Sequence, residues 1–247
     1  MLQLIKPNWA APANIHAYST TRAGGVSEGA FLGLNLGTHV QDDPQHVFIN
    51  RQLLTSEFNS VADFCWLNQT HSHRLIKLNA TTTQNIDADA SWTDTNQRTC
   101  VVMTADCLPI LVTDKQGSFV AAIHAGWRGL KDGIIEKSIQ EICNELSIAS
   151  EQLLVWLGAC IGPEAFEVGD DVRDEFIAEN PLSNSAFTPI NNKWLANLQQ
   201  LAMLRLAQFP GITVSADTSC TFKDPDRFYS YRRDGKTGRL ATFIWMD

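Results

Sequence analysis

The chain has 247 residues, of which 44% are hydrophobic and 19% charged, a composition typical of a globular protein rather than of a disordered segment. Its formal net charge of −8 disfavours binding to nucleic acid or to an anionic membrane, because both need a basic surface. The N-terminus has no signal-peptide pattern, and no apolar run reaches the roughly 18 residues of a membrane span, so we expect a cytoplasmic protein.

The first elements read from the sequence are a strand and a helix. Residues 15–21 form an apolar, strand-like run, and the loop after it contains Gly24 and Gly25, which permit positive φ and close approach to a ligand. Asp42-Asp43-Pro44 then predicts a helix start, because acidic residues and an early proline favour the first turn. We expect this helix to reach about Phe58.

The centre of the chain alternates apolar runs with turns. Strands are predicted at residues 99–104, 108–113, 118–124 and 153–157. Apolar residues at helical spacing predict an amphipathic helix over 129–146, and a further helix is expected over 170–179.

The C-terminal part is predicted to contain a helix and a hairpin. The helix covers 193–208 and ends before Pro210-Gly211, and the hairpin pairs residues 228–232 with 240–245. Strands outnumber helices and do not alternate with them one for one, which favours an α+β layered fold over a doubly wound one. No linker or repeat divides the chain, so a single domain over residues 1–247 is expected.

Two histidines and one cysteine stand near the ends of predicted strands, and they are His71, Cys107 and His124. Strand ends hold side chains rigidly, which metal coordination requires. Two imidazoles and a thiolate form a three-ligand set that leaves a fourth position open on a catalytic zinc. Taken one by one, a strand-end cysteine or a lone histidine is more often a structural residue, and spacing alone does not decide between these interpretations.

The chain contains four other histidines, of which His73 is a competing metal ligand, and five other cysteines. His73 lies two residues from His71 and would share its side of an extended segment. His16, His39 and His46 have no metal-like neighbours and are interpreted as structural, with His39 near the site because it follows Asn35-Leu36-Gly37. The six cysteines are widely spaced without a Cys-x-x-Cys pair, which favours free thiols over a disulfide framework.

Several motifs together resemble a known family. In chain order they are Thr21 to Ser27, Asn35-Leu36-Gly37, Asn50-Arg51, Gln69-Thr70-His71, Thr104 to Pro109, His124 to Gly129, Gly158 to Pro163, Glu167-Val168-Gly169 and Ser230 to Asp234. This series, which runs over nearly the whole chain, is similar to the YfiH family, also called the multicopper polyphenol oxidase or laccase-domain family, whose members were later described as purine nucleoside phosphorylases.

The resemblance implies a fold, a metal site and an activity. The fold is a single-domain four-layer α-β-β-α sandwich, and the zinc ligands fall on His71, Cys107 and His124. The implied activities are phosphorolysis of adenosine, inosine and 5′-methylthioadenosine, with deamination of adenosine as a side activity. We therefore expect Zn²⁺ as cofactor, purine nucleosides and inorganic phosphate as ligands, and a monomer or weak homodimer.

Other motif residues fit a nucleoside and phosphate site. Glycosidic cleavage builds positive charge on the sugar while phosphate stays anionic, so fixed cations must hold the phosphate against C1′. Candidates for substrate binding are the arginines and amides Arg22, Arg51, Arg128, Arg232, Asn35 and Gln69. Asp106 is expected to orient a ligand imidazole from behind the metal. The alternative for each is a purely structural contact.

Three rival functions stay open at this point. A copper-dependent polyphenol oxidase fits a two-histidine, one-cysteine ligand set, but a laccase cluster needs about ten histidines and this chain has six. A cysteine hydrolase, acting on peptidoglycan precursors, would use Cys107 as thiolate and His124 as base. A structural zinc domain would need a fourth protein ligand, and only His73 offers itself.

Overall fold

A computed structural model describes residues 2–58 and 63–247, and all structural statements below concern these ranges. The fourteen strands are β1 Leu4–Ile5, β2 Ile15–Thr20, β3 Asp63–Cys65, β4 Leu75–Lys77, β5 Ala90–Thr93, β6 Arg98–Thr104, β7 Leu108–Asp114, β8 Val120–Ala125, β9 Leu153–Leu157, β10 Glu167–Val168, β11 Phe187–Ile190, β12 Lys193–Ala196, β13 Thr213–Ala216 and β14 Leu240–Met246. The six α-helices are α1 Pro44–Glu57, α2 Trp127–Lys131, α3 Ile134–Leu146, α4 Asp170–Glu179, α5 Leu198–Leu206 and α6 Tyr231–Asp234.

The strands form two large sheets and one small one. The first sheet has five strands in the order β1-β2-β14-β6-β3, and the second has six in the order β13-β9-β7-β8-β5-β4. A three-stranded sheet, β10-β12-β11, stands apart from both. The turn between β6 and β7 leads the chain from the first large sheet to the second, so residues 105–107 lie where the two sheets meet.

The large sheets pack face to face and carry helices on their outer faces. Along β6, Cys100 and Val102 belong to the cluster between the sheets, whereas Val101 and Met103 belong to the cluster beneath α1. This alternation follows from the two-residue period of a strand. The outer face of the second sheet packs against α2 to α5 in the largest apolar cluster. The α+β class and the α-β-β-α layering are therefore confirmed.

Most predicted elements occur where the sequence placed them. The strands at 15–21, 99–104, 108–113, 118–124 and 153–157 and the helix over 170–179 are confirmed to within two residues at each end. The first helix begins at Pro44 because the Asp43 side chain accepts a hydrogen bond from the Gln45 amide at 2.8 Å. It ends at Glu57, close to the predicted Phe58.

Three predicted elements are wrong. The helix over 129–146 is two helices, because Gly133 adopts φ +81° and separates α2 from α3. The helix over 193–208 is β12 followed by the shorter α5, since Asn197 caps the helix start by accepting from the Gln200 amide. The C-terminal hairpin is absent, because β14 pairs with β2 and β6 instead of with 228–232.

No helix within the described ranges is long and apolar enough to cross a membrane.

Candidate functional site

The predicted ligands His71, Cys107 and His124 converge at the junction of the two large sheets. Their ligand atoms all lie within 4.8 Å of one another, and the two imidazole rings are 5.0 Å apart between centroids at 75°. His71 comes from the loop between β3 and β4, Cys107 from the turn between the sheets, and His124 from β8. The trio thus joins three segments that are distant in sequence.

Two residues of this region adopt a backbone conformation that side chains disfavour. His71 has φ +59° and Asp106 has φ +94°, although neither is glycine. Such strain persists only where surrounding contacts enforce it, and it is frequent at functional sites. The Asp106 carboxylate accepts hydrogen bonds from the Thr221 and Ser230 hydroxyls and the Arg232 amide, which hold the turn that presents Cys107.

The buried carboxylate of Asp89 positions both histidines. One oxygen, Oδ1, accepts from the His71 amide at 3.0 Å and pairs with His124 Nδ1 at 2.8 Å. The other, Oδ2, accepts from the Ser72 amide and the Ser72 hydroxyl, both at 2.7 Å. Because Nδ1 of His124 is engaged, Nε2 is the nitrogen left for the metal.

This arrangement corrects the sequence prediction for Asp106. We expected Asp106 to orient a ligand imidazole, but its carboxylate is occupied by Thr221, Ser230 and Arg232 and bonds neither histidine. Asp89 was missed because it lies far from the ligands in sequence. The sequence signal for Asp89 is an acidic residue directly before the buried strand β5, because a carboxylate in that position needs hydrogen-bond partners in the interior.

Charge coupling favours the ionised forms of Cys107, His124 and Asp89. Burial alone would raise the pKa of the Cys107 thiol, but the charge and hydrogen bond of His124, with the His71 hydrogen bond, lower it to about 6. Burial would lower the pKa of His124, yet Cys107 and Asp89 raise it to about 9. Burial opposes ionisation of Asp89 as well, but His124 and Ser72 lower its pKa to about 2.

The three donors fit a zinc ion. Ligands of a tetrahedral zinc stand roughly 3–4 Å apart, so separations of up to 4.8 Å require only small side-chain movements. A thiolate and two imidazoles are also donors that zinc prefers. Gly126 lies against the trio without a side chain, since a Cβ there would stand 3.2 Å from Cys107 Sγ and from His71 Cδ2. The backbone of Gly126 therefore lies close to Cys107 and to both histidines.

A cavity of about 250 Å³ opens beside His71 and Cys107. Its walls are largely apolar, and they include Trp127, Phe166 and Ile161. Of the predicted substrate residues, Arg128 and Arg232 line it. The Arg128 guanidinium stacks on Trp127, whereas Arg232 donates to the Glu167 carbonyl at 2.7 Å and lies over Phe166.

Four predicted substrate residues lie outside this cavity, and each has a structural contact. Arg22 donates to the Leu32 and Pro225 carbonyls, and Arg51 donates twice to the Leu36 carbonyl. The side chain of the fully buried Asn35 bonds Gly37, Asp42 and the Arg239 amide. Gln69 bonds both the amide and the carbonyl of Met103. None of the four lines this cavity, and their role in substrate binding stays a prediction.

The remaining histidines divide as follows. His73 does not join the metal cluster, which corrects its reading as a competing ligand. His16 stacks on Trp245 and pairs with Asp247, and His46 lies 4.0 Å from Asp42, so both are structural as expected. His39 lines a second cavity, which shares Tyr231 with the cavity beside the trio, and this agrees with its expected place near the site.

Comparison with known proteins gives one consistent result. The family model described as multi-copper polyphenol oxidoreductase laccase matches residues 16–247. A Haemophilus influenzae protein named purine nucleoside phosphorylase is 44% identical over 249 residues, which is 100% of both chains. An Escherichia coli protein named purine nucleoside phosphorylase YfiH is 42% identical over 246 residues, again 100% of both. The crystal structure of a Neisseria meningitidis protein of the DUF152 family superimposes with TM-score 0.92 at 43% identity, covering 99% of each chain.

Proposed function

The chain belongs to the family described as multi-copper polyphenol oxidoreductase laccase. From the name that its relatives carry, we propose that it is a zinc-dependent purine nucleoside phosphorylase of the cytoplasm. Its substrates are adenosine, inosine and 5′-methylthioadenosine, and deamination of adenosine is a side activity. The name carried by relatives at 42% and 44% identity supports the phosphorolysis. Six free cysteines support a reducing compartment.

The observation that carries the proposal is the pairing of a donor trio with an aromatic, arginine-bearing cavity. Trp127, Phe166 and Tyr231 line the same cavity as His71 and Cys107. Aromatic and apolar walls suit the flat face of a purine, and a cavity of about 250 Å³ is at the small end of ligand sites. The purine and ribose of one nucleoside are accommodated on that scale.

The arginines of this cavity act on the leaving base. In phosphorolysis a phosphate oxygen bonds to C1′ while the C1′–N9 bond breaks, and the purine leaves with the electron pair and takes up a proton. Arg128 is exposed and has no carboxylate partner within the described residues, so its positive charge is available to the departing purine. Arg232 extends this positive wall along Phe166.

The residues around the trio hold the ligands in place. Zinc, when bound by His71, Cys107 and His124, supplies a Lewis acid at the cavity wall. Asp89 holds the imidazole of His124 and the backbone of His71, and the hydrogen bonds of Asp106 fix the turn that carries Cys107. The walls formed by Trp127 and Ile161 exclude water from this face.

The direct test is incubation of the purified protein with inosine and phosphate, followed by chromatographic separation of hypoxanthine. We expect hypoxanthine from the wild type, and a loss of at least about a hundredfold in His71→Ala and Cys107→Ser, since each removes a ligand. His73→Ala is the matched control, because this exposed neighbour is outside the cluster and should leave the rate unchanged. Absence of hypoxanthine from the wild type, or equal amounts from the ligand variants, contradicts the proposal.

One observation favours a second candidate, a cysteine hydrolase acting on peptidoglycan precursors. Cys107, His124 and Asp89 are connected in the order of a nucleophile, a base and an orienting carboxylate, with a lowered pKa at the thiol. This interpretation leaves His71 without a chemical role. A chelator that leaves activity intact while thiol alkylation abolishes it would support the hydrolase, whereas loss with both treatments supports the zinc enzyme.

The copper-dependent polyphenol oxidase is the weaker alternative. Within the described residues one cluster of three histidine and cysteine ligands is found, and a multicopper oxidase needs several copper sites. Copper retention together with oxidation of a phenol at physiological metal levels would favour it.

A further inference from the structure

A second cavity lies next to the cavity beside His71 and Cys107, which we call the purine cavity. The two cavities differ in the charge of their walls. Its volume is about 330 Å³, and Tyr231 lines both. The polar side chains of the second cavity are those of His39, Gln41, Tyr231, Lys236, Thr237 and Arg239. Among the residues that the structure describes, no carboxylate lines it. Because the charged residues of its wall are Lys236 and Arg239, this cavity favours an anionic ligand.

Arg239 is a half-buried cation without an ion-pair partner in the described part of the chain. Its Nη1 donates to the carbonyls of Thr237 and Gly238 at 3.1 and 3.0 Å. The charge of the Asp106 carboxylate affects the Arg239 guanidinium, but both oxygens of Asp106 already accept hydrogen bonds from other donors. Thr237 is 2% exposed, and its hydroxyl has no hydrogen-bond partner among described residues. Both groups suit a bound oxyanion.

The Asn35-Leu36-Gly37 motif holds Arg239 in this position. Asn35 Oδ1 accepts from the Arg239 amide at 2.8 Å, and the Leu36 amide donates to the Arg239 carbonyl at 3.1 Å. A Cβ at Gly37 would stand 2.7 Å from Arg239 Cγ, so the glycine makes room for the arginine stem. The Asn35-Leu36-Gly37 motif does not line the purine cavity, and its structural role is to position Arg239.

The cationic cavity lies beside the turn that carries Cys107, because β14 pairs Leu240 with Thr104 and the preceding residue, Arg239, therefore stands next to that turn. Burial and the positive charges of Arg239, Arg51, His71 and His124 lower the pKa of His39. Burial lowers the pKa of Arg239, and the negative charge of Cys107 opposes this effect. His71 and Cys107 line the purine cavity, so both cavities lie beside the turn that carries Cys107.

We propose that this second cavity, which we call the phosphate pocket and define by His39, Lys236, Thr237 and Arg239, binds the inorganic phosphate that attacks the nucleoside. The inference rests on the proposed function and divides the substrates between the two cavities. Phosphate in the phosphate pocket faces C1′ of a nucleoside whose base lies between Trp127 and Phe166. Its oxygen forms the bond to C1′ while the C1′–N9 bond breaks and the purine departs toward Arg128 with the electron pair.

Steady-state phosphorolysis with separate variation of phosphate and inosine tests the assignment. We expect Lys236→Gln and Arg239→Gln to raise the KM for phosphate by about tenfold or more, because each removes a charge-assisted contact, and to change the KM for inosine by less than about twofold. Lys137→Gln on α3 is the matched control, an exposed lysine with the same charge change. An unchanged phosphate KM in Lys236→Gln and in folded Arg239→Gln overturns the proposal.

Arg239 is half-buried, so a third variant guards against misfolding of Arg239→Gln. Gly37→Ala keeps every charge and displaces the arginine stem, because the new Cβ would meet Arg239 Cγ. It should also raise the phosphate KM. A phosphate KM that rises in Arg128→Gln, and not in Lys236→Gln or Gly37→Ala, would move the phosphate to the purine cavity and overturn the proposal while phosphorolysis itself stands.

A binding measurement separates this inference from the proposed function. Inorganic phosphate is titrated calorimetrically into the purified, zinc-loaded protein without nucleoside. Saturable heat in the wild type and in Lys137→Gln, lost in Lys236→Gln, supports the phosphate pocket even if the wild type releases no hypoxanthine. Equal phosphate affinity in wild type and Lys236→Gln counts against the pocket even if hypoxanthine is formed.

Discussion

At the scale of single residues, Asp89 controls the candidate metal site most directly. Its two oxygens accept from both the His71 loop and His124, so one carboxylate aligns two ligands. We expect Asp89→Asn to weaken zinc affinity about 10- to 100-fold, since the amide removes one acceptor and one charge. Competition with a chromogenic chelator measures this. Asp87→Asn, at an exposed neighbour, is the control, and equal affinities of wild type and Asp89→Asn would contradict the prediction.

The reactivity of Cys107 gives a second prediction at this scale. Its pKa is lowered to about 6 from 9.0, so the thiolate persists down to lower pH than in an ordinary cysteine and is lost as pH falls through 6. In chelator-treated protein we expect iodoacetamide modification of Cys107, followed by peptide mass spectrometry, to be half-maximal near pH 6. Cys65, whose pKa is raised to about 11, is the internal comparison. A half-maximal rate near pH 9 would be evidence against the coupling with His124.

The ligand residues could be predicted from the sequence, but most of their supporting contacts could not. Cys107 and His124 stand at strand ends, and all three ligands, with His71, lie within recognisable motifs, which is a local signal. Asp89 touches them only because β5 pairs with β8, and this pairing is a property of the folded sheet. The sequence also does not show that Arg22 and Arg51 bond backbone carbonyls, because these contacts join segments that are distant in the chain.

At the scale of elements, the break between α2 and α3 depends on Gly133. Its φ of +81° lies in a region that side chains disfavour, whereas a Cβ there would meet nothing closer than 3.7 Å. We expect Gly133→Ala to lower the free energy of unfolding by about 1 kcal/mol, purely through backbone strain. Gly133→Asn should lower it less, because asparagine tolerates positive φ. Urea denaturation measures both variants, and equal losses would indicate a steric cause instead.

Elements defined by local signals were predicted well, and elements defined by distant partners were not. The helix α1 begins at its Asp43 cap and Pro44, both visible in the sequence. The segment 228–245 looked like a hairpin because two apolar runs flank glycines, but β14 finds better partners in β2 and β6. The helix over 193–208 was drawn too long because β12 is explained only by pairing with β10 and β11.

At the scale of the whole molecule, zinc should stabilise the fold through its three ligands. Zinc at about 100 times its Kd adds about 2.7 kcal/mol to the free energy of unfolding, which corresponds to about 5–11 °C in Tm for a protein of this size. Differential scanning fluorimetry with and without zinc measures the shift. We expect His73→Ala to keep it and Cys107→Ser to lose it. A full shift in Cys107→Ser would show that zinc binds elsewhere.

The central position of β14 has a consequence for biosynthesis. β2 and β6 lie on either side of it in the five-stranded sheet, yet β14 is the last of the three to be translated. Most of the six-stranded sheet, including β7, β8 and β9, leaves the ribosome before it. Until Leu240–Met246 emerges, the edges of β2 and β6 that pair with β14 stay unpaired in the nascent chain. Chaperones that bind unpaired strand edges therefore have a defined site of action.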